Sequence, residues 1–186
     1  MGRVICIAGS HAVGKTTLFK RIKSNQPNID VIDGYIIDKD NLNLSEENDY
    51  IEYEMRYIKR LNREYDYIKN SAKDCIVIRS FEDTMYYLEH QDSVKKEWNL
   101  NLVKEAGKRK SDLVIFLDAT IETLKKRAIC DGLRDLQATI EWYDCWHDSY
   151  VQFWKNIPYC ITIKTDCLSP DDVYWKVMEA IDGEKR

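Results

Sequence analysis

Gly9, Ser10, His11, Ala12, Val13, Gly14, Lys15 and Thr16 fit the pattern G-x-x-x-x-G-K-[ST]. Its glycines let a loop close around an anion so that successive backbone N–H groups point at phosphate oxygens. A helix starting at Lys15 and continuing through Thr17 would add the positive end of its dipole. In that arrangement Lys15 reaches the β- and γ-phosphate oxygens, and the Thr16 hydroxyl is the ligand for the Mg²⁺ that bridges them.

The pattern has this meaning only between a strand and a helix, and the flanking residues supply both. Val4 to Ala8 is an apolar run, and Thr17 to Ile22 continues as an amphipathic helix. Further along, Ile29–Asp33, Cys75–Ile78, Leu113–Leu117 and Tyr159–Ile163 read as four more strands, separated by long helical patterns. Alternation of this kind predicts a three-layer α/β/α domain with a five-stranded parallel sheet. Between the second and third strands, Tyr50, Tyr53, Tyr57, Leu61, Tyr65 and Ile68 recur at helical spacing, and this stripe reads as core. A second helical stretch runs from Thr84 to Lys110 with a break near residues 90–93, where Ser93 could cap its second half. Ser169-Pro170-Asp171-Asp172 opens a final helix with a capping residue and a first-turn proline. Trp142, Tyr143, Trp146, Tyr150 and Trp154 share another helix and read as packing, although the end nearer residues 127–136 could border a base pocket.

With 186 residues, 44% hydrophobic and 32% charged, the chain has the size and balance of one globular domain spanning residues 1–186. No apolar run approaches a membrane span, and the N-terminal residues enter the first strand without a leader-like segment. The six cysteines form no C-x-x-C pair, which suits free thiols in a reducing cytoplasm. A net charge of −4 without a basic block argues against a nucleic-acid partner. The aromatic-rich helices could pack within a monomer or form the face of a homodimer.

The order of these parts resembles the P-loop nucleoside and nucleotide kinases, in particular the thymidylate kinase and deoxynucleoside kinase branch. Arg79-Ser80 after the third strand, followed by Asp83, Thr84, Tyr86 and Tyr87, is similar to that branch's acidic-Arg-[Tyr/Ser] motif, which meets the acceptor. Glu122, Lys125, Lys126 and Arg127 after the fourth strand resemble the helix leading to a short lid, here about residues 127–136, with Arg134 as its second arginine. The resemblance implies a P-loop NTPase fold, ATP and Mg²⁺, and a small acceptor, either a nucleoside or a nucleoside monophosphate. It further implies that Arg79 binds the acceptor side and that Arg127 and Arg134 cover the transferred phosphoryl group. One position departs from the family: Ile78 stands where the motif has an acid. Asp33, at the end of the second strand, is the expected substitute for orienting or deprotonating the acceptor, with Glu82 and Asp83 as other candidates. Asp118 ends the fourth strand as a loose Walker B acid. A P-loop NTPase switch, or a regulatory module that binds nucleotide without phosphorylating an acceptor, is the alternative; no Asn-Lys-x-Asp guanine element is present.

Overall fold

The computed structural model describes residues 2–32, 42–78, 80–90, 93–133 and 135–183. Asp33, Arg79 and Arg134, together with Asp38 and Asp40, lie outside the described residues. The strands are β1 (Val4–Gly9), β2 (Asp30–Ile32), β3 (Cys75–Ile78), β4 (Leu113–Asp118) and β5 (Cys160–Lys164). The helices are α1 (Lys15–Asn25), α2 (Glu47–Asn70), α3 (Phe81–Glu89), α4 (Ser93–Trp98), α5 (Leu100–Ala106), α6 (Ile121–Cys130), α7 (Leu136–Lys155) and α8 (Pro170–Gly183). The expected strands are therefore all present, each within a residue or two of its predicted ends. The stretch expected from Thr84 to Lys110 is three helices, one of which begins at Ser93.

All strands are parallel, in the order β2-β3-β1-β4-β5. Parallel strands need crossovers, and the helices that make them cover both faces. Side chains alternate accordingly. Ile5, Ile7, Ile76, Ile115 and Leu117 enter one core with Leu18 and Ile22 of α1, Leu124 of α6, and Val177 and Ile181 of α8. Cys6, Ala8, Val77, Val114 and Phe116 enter the opposite core with Ile68 of α2, Tyr86 of α3, and Tyr150 and Trp154 of α7. Every residue of β4 is buried, as a central strand covered on both faces requires. Each large aliphatic side chain so buried contributes about 1.5–3 kcal/mol.

Helix starts follow local chemistry. Ser169 Oγ accepts from the Asp172 amide at 3.2 Å, while Asp172 accepts from the Ser169 amide at 3.0 Å. These reciprocal bonds and Pro170 in the first turn begin α8 where the sequence predicts it. Thr120 caps α6 by accepting from the Thr123 amide at 3.3 Å. Among the described residues, no helix is long and apolar enough to cross a membrane.

Because β1 is flanked by β3 on one side and β4 on the other, chain connections diverge at its C-terminal end. That is the crevice in which ligands bind in open parallel sheets, and the loop from Ser10 to Gly14 occupies it.

Candidate functional site

The loop joins β1 to α1 with backbone angles that constrain its sequence. Gly9 has φ 145° and Gly14 φ 107°, and Ala12, at φ 54°, is the one non-glycine residue with positive φ among those described. A side chain on Gly9 would place its Cβ 2.6 Å from the Leu117 carbonyl oxygen, so close packing on β4 excludes one. Gly14 has open space around it and is required by its left-handed conformation alone.

Helix α7 holds this loop from behind. The Tyr143 hydroxyl donates to the His11 carbonyl at 2.8 Å, and the His11 ring lies edge-on to Trp142 with centroids 6.0 Å apart. Burial pushes the Tyr143 hydroxyl up to about 12, which keeps it protonated as a donor. Ser10 Oγ and His147 Nδ1 are 3.2 Å apart, and both residues are buried. At the other end of the loop, Lys15 Nζ donates to the carbonyls of Gly9 at 2.6 Å and Ser10 at 2.8 Å. The lysine that should meet phosphate is thus folded over the loop's own oxygens.

A cavity of about 710 Å³ opens from this loop. Its donor side is made by Gly14, Lys15, Thr16 and Thr17. The cavity is also lined by Tyr53, Glu54 and Tyr57 of α2, by Thr84, Tyr87 and Leu88 of α3, and by Trp142 of α7. The α2 stripe is therefore divided: Tyr50, Leu61 and Ile68 are core, as expected, and Ile58 joins them, whereas Tyr53 and Tyr57 face the cavity. Helical spacing identifies the buried face of a helix but not whether a neighbour or a void lies against it. Glu54, Leu44 and Asp131 also reach the cavity without any sequence signal that marked them. Trp142 does border it, at the end of the aromatic helix where a base pocket was expected.

The two acidic candidates beyond Arg79 separate cleanly. Glu82 is buried among donors on the far side of its helix: the Ser111 amide at 2.7 Å, the Ser111 hydroxyl at 3.1 Å and the Tyr159 hydroxyl at 3.1 Å. It ties α3 to the residues before β4 and β5. Asp83 instead lines the cavity, only 7% exposed. Its Oδ1 accepts from the Tyr150 hydroxyl at 2.6 Å, and its Oδ2 accepts from the Ser80 amide at 3.4 Å. Burial raises its pKa, while the Tyr150 hydrogen bond and the Lys15 ammonium pull it back down. Ile78 contributes an apolar patch to the same wall.

Arg127 is placed at the edge of the site. Its guanidinium donates to Thr165 Oγ1 at 3.0 Å and to the Thr165 carbonyl at 2.7 Å, with a longer contact of 3.5 Å to the Val13 carbonyl. It touches the back of the phosphate loop and does not line the cavity. The described part of segment 127–136 is the last turn of α6, a tight turn through Gly132 (φ 59°) and the start of α7. Asp118 is buried at the end of β4, outside the cavity wall, and its carbonyl accepts from the Thr165 amide at 2.8 Å.

The donor set suits a hard cation that arrives with phosphates. The Thr16 hydroxyl is an oxygen donor on this cavity, and no group of three or more His, Cys, Asp or Glu among the described residues forms a metal cage. Mg²⁺ fits such a site, because it keeps several waters and takes most other ligands from the nucleotide.

A family model described as an AAA domain matches residues 4–167. No curated protein matches the chain in sequence. Among solved structures, it is similar to thymidylate kinase from Candida albicans, at TM-score 0.66 and 17% identity, over 99% of this chain and 92% of that one. It is also similar to deoxyadenosine kinase from M. mycoides with bound dATP, at TM-score 0.70 and 15% identity, over 97% and 99%. The same enzyme with products dCMP and a flexible dCDP matches at TM-score 0.68 and 14% identity, over 97% and 99%. At such identities the likeness is one of fold: this chain has the α/β architecture of the P-loop nucleoside and nucleotide kinases.

Proposed function

The chain belongs to the AAA domain family, and from that premise we propose that it is a Mg²⁺-dependent ATP phosphotransferase acting on a nucleoside or nucleoside monophosphate. The observation that carries this reading is the cavity of about 710 Å³. It joins the phosphate loop to a second wall of tyrosines, a tryptophan and carboxylates, so a donor and a small acceptor have room side by side. A switch NTPase needs no such second compartment.

In this reading Lys15 leaves the Gly9 and Ser10 carbonyls for the β- and γ-phosphates, and the loop amides hold the rest of the chain of phosphates. Thr16 would hold Mg²⁺, which when bound neutralises charge on the transferring group. Tyr53, Tyr57, Tyr87 and Trp142 supply flat apolar surface for a base, and Glu54 a hydrogen-bond acceptor for its amino groups or for a sugar hydroxyl. Arg127 would reach the transferred phosphoryl by exchanging Thr165 for phosphate oxygens. The roles of Arg79 at the acceptor, of Arg134 over the phosphoryl group and of Asp33 beside the acceptor rest on the family resemblance. The whole chain would act as one domain, with a short lid between α6 and α7, in a reducing cytoplasm where its cysteines, all unpaired among the described residues, stay as thiols.

The test is release of ADP from MgATP across a panel of nucleosides, nucleoside monophosphates and unrelated hydroxylated metabolites, with an acceptor-free control. Saturable stimulation by one acceptor is expected, and Lys15→Ala should lower kcat/KM by about 10²-fold or more. Slow release indifferent to every acceptor would instead indicate an NTPase or a nucleotide-binding module.

A further inference from the structure

We propose that Asp83 is a catalytic residue whose carboxylate takes the proton from an acceptor hydroxyl during phosphoryl transfer, and that Tyr150 is the positioning residue that aims it. This rests on the kinase reading above and narrows it to an acceptor that presents a hydroxyl.

The argument begins with the cost of the residue. Asp83 is the third residue of α3 and closes a capping box with Ser80, yet a glutamine would close the same box without a charge. A carboxylate that is only 7% exposed is costly unless something uses its charge. Among the described residues its hydrogen-bond donors are neutral: the Tyr150 hydroxyl at 2.6 Å and the Ser80 amide at 3.4 Å. Asp83 also lines the cavity that Lys15 and Thr16 share with Tyr53, Tyr57 and Tyr87, so in the kinase reading it stands on the wall of the space that donor and acceptor would share. Ile78, on the same wall, brings no oxygen to that space, and Glu82 is turned away onto Ser111 and Tyr159.

Tyr150 is itself fully buried in the core beneath the site, packed edge-on to Phe116 and Trp154. A rigid aromatic ring with its hydroxyl on Oδ1 fixes the carboxylate's rotation and directs its other lone pairs. Among the described residues, the ionisable groups that face Asp83 are Lys15 from the phosphate loop, Tyr150 from α7, Glu82 from its own helix and Cys6 from β1. Of these Lys15 favours the ionised form, and Glu82 opposes it.

In the step, the acceptor O–H bond breaks and its proton passes to Asp83. The released electron pair forms the bond from the acceptor oxygen to the γ-phosphorus. The bond from that phosphorus to the β,γ-bridging oxygen breaks, and its pair leaves on ADP. Asp83 returns the proton to water as products depart. A monophosphate acceptor has no need of this step, because its oxygen is already ionised at neutral pH.

The experiment compares wild type, Asp83→Asn and Tyr150→Phe as full chains in the ADP-release assay, with nucleosides and nucleoside monophosphates, from pH 5 to 9. Asp83→Asn should lower kcat on a hydroxyl acceptor by about 10²-fold or more, abolish the acidic limb of the profile, and leave the thermal stabilisation by MgATP in place. Tyr150→Phe removes the bond that aims the carboxylate and holds its pKa down, so its acidic limb should move to higher pH and its maximum should fall, though by less than in Asp83→Asn. Asp83→Asn within about 3-fold of wild-type kcat, well short of the usual effect of losing a general base, overturns the proposal. Transfer to monophosphates alone overturns it while leaving the kinase reading intact, and transfer to no acceptor overturns both. Should Asp83→Asn fail to fold, an unmoved limb in Tyr150→Phe is the overturning result.

Discussion

Gly9 shows how narrowly the phosphate loop is built at the level of a single residue. Its φ of 145° and the 2.6 Å separation that a Cβ would have from the Leu117 carbonyl mean that Gly9→Ala must both strain the loop and push β4 from β1. A loss of more than about 1 kcal/mol in stability, read by urea denaturation, is expected. The same change at Gly14 meets no neighbouring atom, so its effect should fall on loop conformation and nucleotide affinity more than on the core. Both glycines were legible in the sequence, because the pattern that binds phosphate prescribes them. Asp83 was legible only as one of several acids near Arg79. What separates it from Glu82 is which side of a helix turn faces the cavity, and adjacent residues on α3 find entirely different partners: Ser111 and Tyr159 for one, Tyr150 for the other. That difference depends on segments 29 to 77 residues away.

Two elements organise the site: α7, which the sequence marked as a packing helix, and α6, which the family resemblance marked as the helix leading to a lid. α7 supports the donor loop through Tyr143 and His147 and the buried carboxylate through Tyr150, so one rigid element touches both halves of the reaction space. α6 is pinned at its start by Asp166, which accepts from the Thr120 amide at 2.8 Å and the Thr120 hydroxyl at 2.7 Å. These bonds hold the Asp166 carboxyl down to about 2. A carboxyl with a folded pKa below its ordinary value of 3.8 stabilises the protein above that pH, and the contribution is lost as pH falls from there towards 2. Asp166→Asn should therefore weaken the dependence of the denaturation midpoint on pH across that window, without changing its slope near neutrality. Because α6 also carries Arg127 onto Thr165, the two contacts together fix the end of β5 against the helix that leads to the lid segment.

For the whole molecule, the central feature is the divergence of connections around β1, which leaves the phosphate loop at the mouth of a crevice that two helical layers enclose. A ligand bound there contacts α1, α2, α3 and α7 at once, so nucleotide should stabilise the entire fold and not just the loop. At about 100 times Kd, MgATP is expected to add roughly 2.7 kcal/mol, seen as a rise in Tm of about 5–10 °C, and Lys15→Ala should remove most of that shift. Sequence alone determined the α/β alternation, the five strands and the identity of the phosphate loop, since each depends on periodicity or on backbone demands local to a few residues. The cavity-facing roles of Tyr53, Glu54 and Tyr57, the separation of Asp83 from Glu82, and the attachment of Arg127 to Thr165 were decided only by tertiary structure. They depend on which surface of each helix meets a void and which meets a neighbour, and that follows from the packing of distant segments over the two faces of the sheet.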